Sequence, residues 1–192
     1  MGYNISTIEN LPMLSGYYFL LVGMEESNSK TCRTLYTRFD EIAQRVGAKS
    51  AIVKSFVPEK VNDELLSAFI NAPWFRNVYN DLLFREPALI IMKPHPMKFE
   101  FNDDELFALI PFATLDRVYL NENDLVKDIV ALSVDGATNL IDRVMQCSKK
   151  AGFIKRLGNA IMLQPNFSGI GIDLKTLYST DEKCDFFIHG IK

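Results

Sequence analysis

The hydrophobic positions near the start of the chain change from a continuous run to helical spacing. The stretch "GYYFLLVG" at 16–23 is apolar or aromatic between its glycines, which is typical of a strand buried on both faces. From Cys32 to Val46 the apolar side chains recur at the spacing of a helix, and Gly47 follows as a stop signal. The pattern therefore predicts a strand followed by a helix.

The same alternation of strands and helices continues along the chain. "SAIVKSFV" at 50–57 predicts a second strand, and 58–84 has the pattern of a helix that breaks at a proline. "PALIIMK" at 87–93 predicts a third strand, and "MKFEF" at 97–101 alternates like an edge strand. The turn "KPHP" between these two is short, so we expect them to be antiparallel.

A helix is expected to close this first part of the chain. Asn102 or Asp103 is a suitable N-cap for "DDELFALIPFATL", whose first turn is acidic, as the helix dipole favours. Because a crossover helix joins the first two strands, we expect that pair to be parallel. The sequence thus predicts an α/β domain at 16–117 in which helices flank a mixed sheet.

The remaining residues, 118–192, are expected to form an extension packed on that domain. The segments 121–134 and 136–163 have helical patterns, and "GIGIDL" at 169–174 predicts a short strand. So short a segment buries too little apolar surface to be stable alone without disulfides or metal. We therefore expect its apolar side chains to lie against the first domain.

Composition and charge limit the classes of partner that the sequence predicts. The chain has 192 residues and a formal charge of −3, and its Lys and Arg residues are scattered rather than clustered. Nucleic acid is an unexpected partner, because phosphate binding normally needs a concentrated basic surface. The longest apolar run is too short to span a bilayer, and the first residues lack a basic segment of the secretory type. We predict a cytoplasmic protein without a transmembrane segment.

The cysteines and histidines give little support for metal or disulfide chemistry. The three cysteines, Cys32, Cys147 and Cys184, are widely separated and form no CxxC pair, which argues against a disulfide framework and a zinc site. Of the two histidines, His95 stands between two prolines, where we expect an exposed turn residue rather than a catalytic base. No metal is predicted.

Two stretches resemble the thioredoxin-like superfamily. "FLLVGMEESNSKTCRTLYTRFDEIA" is similar to the first strand, the active-site loop and the long helix of that family, and "LFREPALIIMKPHPMKFEFNDDELFALI" to its cis-proline segment, hairpin and last helix. By this resemblance Ser29-Lys30-Thr31-Cys32 lies where the CxxC motif normally stands, and Pro87 corresponds to the cis-proline. The resemblance implies a thioredoxin-like fold with a degenerate, SxxC active site.

The departures from the family pattern bear on function. Ser29 replaces the first cysteine, and a hydroxyl cannot form a mixed disulfide, so exchange between two thiols is unavailable in this motif. Asn28, Gly23 and Glu86 also differ from the residue types usual at their positions. The sequence therefore favours a cytosolic protein-binding or scaffold module that needs no cofactor.

The alternative is a monothiol or glutathione-dependent oxidoreductase or transferase that uses Ser29 or Cys32. Ser29 is either a helix N-cap or, as in glutathione-transferase relatives of the fold, the group that holds a glutathione thiolate. Cys32 is either a small core residue or a reactive thiol. Pro87 marks the candidate groove for glutathione or a peptide. The sequence leaves open whether the chain is an enzyme.

Overall fold

The computed structural model describes residues 1–22, 28–55, 57–69, 87–93, 95–98, 105–150, 176–181 and 184–189. Within these residues seven strands form one sheet: β1 (Gly2–Ile5), β2 (Tyr18–Val22), β3 (Ala51–Ser55), β4 (Ala88–Lys93), β5 (Leu106–Pro111), β6 (Thr176–Asp181) and β7 (Cys184–His189). The described helices are α1 (Lys30–Thr37), α2 (Phe39–Arg45), α3 (Pro58–Phe69), α4 (Phe112–Val118), α5 (Glu122–Asp135) and α6 (Asn139–Lys150). Two short 3-10 helices cover Ile8–Asn10 and Pro96–Lys98.

The sheet is mixed, with the strand order β1-β3-β2-β4-β5-β7-β6. β3 is parallel to both β1 and β2, whereas β4 is antiparallel to β2 and β5. β7 is antiparallel to both β5 and β6. The prediction of an α/β fold with a mixed sheet, and that of a parallel first pair of strands, are confirmed.

The predicted helix over 103–115 is wrong in its first part. Leu106–Pro111 forms β5, which pairs with β4 so that Ile90 lies opposite Leu109, and the helix begins only at Phe112. The helix was predicted from an acidic cap signal, but "LFALI" is a continuous apolar run whose side chains pack in the cores on both faces of the sheet. Pairing with β4 thus prevails over a local helix signal.

The predicted edge strand "MKFEF" is also corrected. Met97 and Lys98 belong to the second 3-10 helix, and residues 99–101 lie outside the described residues. The strand that follows β4 along the chain and pairs with it in the antiparallel direction is β5.

The remaining helix predictions are mixed in outcome. The helix predicted from Cys32 begins at Lys30 and divides into α1 and α2 at Arg38, whose guanidinium bonds Glu41 on one side and Asn123 on the other. The stop at Gly47 is confirmed by its left-handed backbone, with φ of 77°. The helix predicted over 121–134 is confirmed as α5. Of the other predicted segments, the parts at 70–84, 151–163 and 169–174 lie outside the described residues.

The buried side chains form a layer on each face of the sheet. Successive residues of β2 point alternately into the two layers. Phe19 and Leu21 lie in the layer with α1, α2, α4, α5 and α6. Tyr18, Leu20 and Val22 lie in the layer with α3 and the first 3-10 helix. The first layer includes α5 and α6 residues, namely Leu125, Val126, Ile129, Leu132, Leu140, Ile141 and Val144. The described helices beyond residue 117 thus share a core with the strands before it, and the domain boundary itself stays a prediction.

Candidate functional site

Ser29 is the N-cap of α1. Its backbone is extended, and its Oγ accepts a hydrogen bond from the amide of Cys32 at 3.1 Å. The same hydroxyl lies 3.0 Å from the hydroxyl of Thr31. A serine oxygen that satisfies an amide of the first turn typically contributes about 1 kcal/mol to helix stability. The predicted capping role of Ser29 is therefore present in the structure.

A carboxylate from another helix also contacts the start of α1. The amide of Thr31 donates to Oδ1 of Asp116 on α4 at 2.8 Å. The Thr31 hydroxyl, fully buried, bonds the carbonyl of Phe112 at 3.4 Å. Since the amide end of a helix carries partial positive charge, the negative Asp116 side chain is favourably placed there. The chain's own acid thus contacts the helix end to which a bound anion would be drawn.

Cys32 lies one residue further into the helix and is fully buried. Its thiol is not part of a disulfide, and it packs in the same cluster as Leu35 and Phe39. A nucleophilic cysteine needs an accessible thiolate, whereas this side chain has no solvent contact. The structure therefore places Cys32 as a core residue.

Pro87 lies at the neighbouring end of β4 and is half-buried. Its carbonyl accepts the amide of Phe112 at 3.0 Å. The Phe112 carbonyl therefore accepts the Thr31 hydroxyl from α1, and the Phe112 amide donates to the Pro87 carbonyl. The structure thus brings the SxxC segment and Pro87 to the same residue, although they are far apart in sequence. The preceding Glu86 and residues 23–27 lie outside the described residues, so the predictions made there stay predictions.

His95 is not the exposed turn residue that the sequence suggested. Its side chain is only 3% exposed and stands edge-on to Tyr18, with ring centroids 5.3 Å apart. Nδ1 accepts the amide of Met97 at 3.1 Å, and Nε2 lies 3.2 Å from the carbonyl of Leu11. These partners assign the neutral tautomer with its proton on Nε2. Pro96 begins the second 3-10 helix, and the His95 ring connects that helix to the segment at Leu11.

Burial is the main influence on the charge of His95. Desolvation lowers the pKa of its imidazole, the hydrogen bond to the Leu11 carbonyl raises it, and the nearby Lys98 lowers it. Both ring nitrogens already have protein partners, so a role as general base finds no support in this geometry.

A second polar cluster joins three helices. The Tyr119 hydroxyl, after α4, donates to Oδ2 of Asp128 on α5 at 2.8 Å, and Nε of Arg143 on α6 lies 3.0 Å from the same oxygen. Burial raises the pKa of Tyr119, and the hydrogen bond to Asp128 raises it further. The tyrosine therefore stays a hydrogen-bond donor. Sequence interpretation missed this cluster and Asp116, because their partners lie on different helices.

The described residues include a disulfide-bonded cysteine and no metal-binding cluster. Cys147 on α6 is disulfide-bonded, so the expectation of a chain without disulfides was wrong. Among the described residues no group of three or more His, Cys, Asp or Glu side chains is arranged to hold a metal ion. None of the helices in the described ranges combines the length and apolar character needed to cross a membrane.

Comparison with protein-family models, with curated proteins and with solved structures finds no match for this chain.

Proposed function

We propose that this chain is a thioredoxin-like protein that acts by binding another protein and not by dithiol exchange. The connection of strands supports the fold: β2, α1 with α2, β3, α3, β4, β5 and α4 follow one another with one parallel and two antiparallel pairings. The approach of Pro87 and Thr31 to Phe112 supports the correspondence between the SxxC segment and the family's active-site loop.

The state of the α1 N-terminus is the observation that carries the binding function. Exchange of disulfides requires an exposed thiolate at this helix end and a second thiol that resolves the mixed disulfide. Here the cap position holds the Ser29 hydroxyl, Asp116 occupies an amide of the first turn, and Cys32 is fully buried. These contacts disfavour redox turnover at this helix end, which supports binding as the proposed function.

The glutathione-dependent alternative has less support from the same contacts. A serine that holds a glutathione thiolate must direct its hydroxyl toward the ligand, and the ligand brings a negative charge. Ser29 already accepts the Cys32 amide and contacts Thr31, and the Asp116 carboxylate would repel an anion at this helix end. We therefore propose no cofactor.

We also propose a cytoplasmic location, which the low number of cysteines, three in 192 residues, supports. The disulfide at Cys147 weighs against it, because disulfides are rare in the cytosol. Mass spectrometry of protein that is alkylated without a reductant, as it is prepared from its own cells, tests this location. In a cytosolic protein Cys147 should be alkylated, whereas in a protein from an oxidising compartment it should stay in its disulfide.

The binding function is tested by assays in which a redox enzyme would give a positive result. Purified protein should show no catalytic reduction of insulin disulfides, in parallel with an active thioredoxin, and no heat of glutathione binding by calorimetry. Turnover that disappears in Cys32→Ala but survives in Cys147→Ala would refute the proposal. Glutathione binding that Ser29→Ala abolishes would establish the alternative instead.

A further inference from the structure

A surface groove lies on the opposite face of the sheet from the SxxC segment. The first 3-10 helix, α3 and the second 3-10 helix contact one another there and border an open groove of about 400 Å³. Its described lining residues are Glu9, Lys60, Asp63, Glu64, Ser67 and Met97. A volume of this size is within the range of ligand sites, roughly 300–1,000 Å³.

The walls of this groove are held in place by buried and half-buried contacts. Both oxygens of Glu64 are bound at 2.6 Å, one by the Thr7 hydroxyl and the other by the Ile8 amide. On the other side the amide of Met97 is held by Nδ1 of the buried His95. The groove is therefore formed before any partner arrives, which lowers the entropic cost of binding.

The chemistry of the lining combines an apolar contact with excess negative charge. Met97 is 50% exposed although its backbone is anchored, and an adaptable methionine side chain is common at protein-binding surfaces. The described lining residues carry three carboxylates and one ammonium group, a formal charge of −2. Lys60 lies 4.0 Å from Glu64, so Asp63 and Glu9 are the acids left to face a ligand.

We infer that this groove binds a segment of a partner protein in which a lysine or arginine stands next to an apolar side chain. The basic group pairs with Asp63 and Glu9, and the apolar side chain covers Met97. A metal ion is a poorer occupant, since both Glu64 oxygens have protein partners and no metal cluster exists among the described residues. The inference rests on the proposed binding function and names the surface that performs it.

The probe is a short fluorescein-labelled peptide in which lysine and leucine alternate, measured by anisotropy against the full chain at low salt. Asp63→Lys should weaken binding about tenfold, which corresponds to about 1.4 kcal/mol. Met97→Ser should weaken it about fivefold through lost apolar contact. Asp135→Lys is the matched control, because it makes the same charge change at the end of α5, which packs on the other face of the sheet. It should leave binding within about twofold.

Two comparison peptides complete the test. Replacing lysine by glutamate should abolish peptide binding. Replacing leucine by serine should weaken binding to the wild-type protein, and with that peptide Met97→Ser should cause almost no further loss of affinity. The inference is overturned if the probe does not bind, or if Asp63→Lys and Asp135→Lys reduce binding equally, which indicates unspecific charge attraction. Circular dichroism of each variant separates loss of binding from loss of folding. Insulin reduction is a separate readout, so failure of the groove and failure of the proposed function remain distinguishable.

Discussion

Removing the Asp128 carboxylate should destabilise the protein through the Tyr119 hydroxyl. In the native structure Asp128 accepts that hydroxyl and also pairs with Arg143. Tyr119 is only 3% exposed, so after Asp128→Ala its hydroxyl is buried without this acceptor. The variant therefore loses a hydrogen bond to a charged group and gains an unsatisfied buried donor.

The expected loss follows from these contacts. A hydrogen bond to a charged group contributes about 1.5–3 kcal/mol, and an unsatisfied buried donor costs about 1–3 kcal/mol, part of which is the same loss counted from the other side. The Arg143 side chain is 50% exposed, so its ion pair adds at most about 1 kcal/mol. We expect a net destabilisation of about 3 kcal/mol, and thus a Tm lower by about 6–12 °C for a chain of this size.

A double-mutant cycle isolates the hydroxyl. Tyr119→Phe alone should cost about 1.5 kcal/mol, because it removes one charge-assisted hydrogen bond but leaves Asp128 paired with Arg143. In the Asp128→Ala background the same change should be neutral or stabilising, since it removes the unsatisfied donor. Free energies of unfolding from urea titrations, with Tm values from calorimetry, measure all four proteins.

Additivity is the result that refutes this reasoning. If Tyr119→Phe costs the same in both backgrounds to within about 0.3 kcal/mol, the two side chains are not coupled. Asp128→Asn provides a conservative control: it retains an amide oxygen for Tyr119 but loses the charge that pairs with Arg143, so its stability should lie between wild type and Asp128→Ala.

Three further outcomes are expected. Gly16→Ala should destabilise by about 2 kcal/mol or more, because a Cβ there would lie 2.6 Å from the carbonyl oxygen of Lys49; thermal melting measures it, and an unchanged Tm contradicts the close approach. Burial lowers the pKa of His95 in the folded protein from 6.5, so its contribution to stability is complete above about pH 6.5 and is lost as the pH falls through the lowered folded pKa. His95→Gln should therefore reduce the change of Tm with pH in melts between about pH 8 and pH 5. An unchanged dependence of Tm on pH refutes this prediction. Under non-reducing conditions an alkylating reagent should modify Cys32 of the purified protein only after denaturation, as read by peptide mass spectrometry; rapid labelling of native Cys32 would show that it is not buried.

Several features followed from the sequence because they depend on neighbouring residues. The N-cap at Ser29 and the stop at Gly47 are decided by which groups can satisfy the ends of a helix. β2, β3 and β4 follow from apolar runs, and α5 follows from the helical spacing of its apolar residues. Local chemistry is sufficient for each of these, so the chain alone predicts them.

Other features depended on partners distant in sequence. β5 was mistaken for helix because a short apolar run fits either state, and the hydrogen bonds of β4 decide between them. His95 is buried because Leu11, 84 residues away, supplies a carbonyl for its Nε2. Asp116 reaches the amide of Thr31 across 85 residues, and no spacing rule connects them.

The candidate site shows this division most clearly. The sequence by itself determined the residue types: a serine in place of a nucleophilic cysteine, and a proline that could stand beside it. Only the tertiary structure decided their surroundings, because burial of Cys32 and occupation of the helix end by Asp116 depend on how α1, α4 and β4 pack together. Burial and charge at a site are properties of neighbours in space, and a linear pattern records only neighbours in sequence.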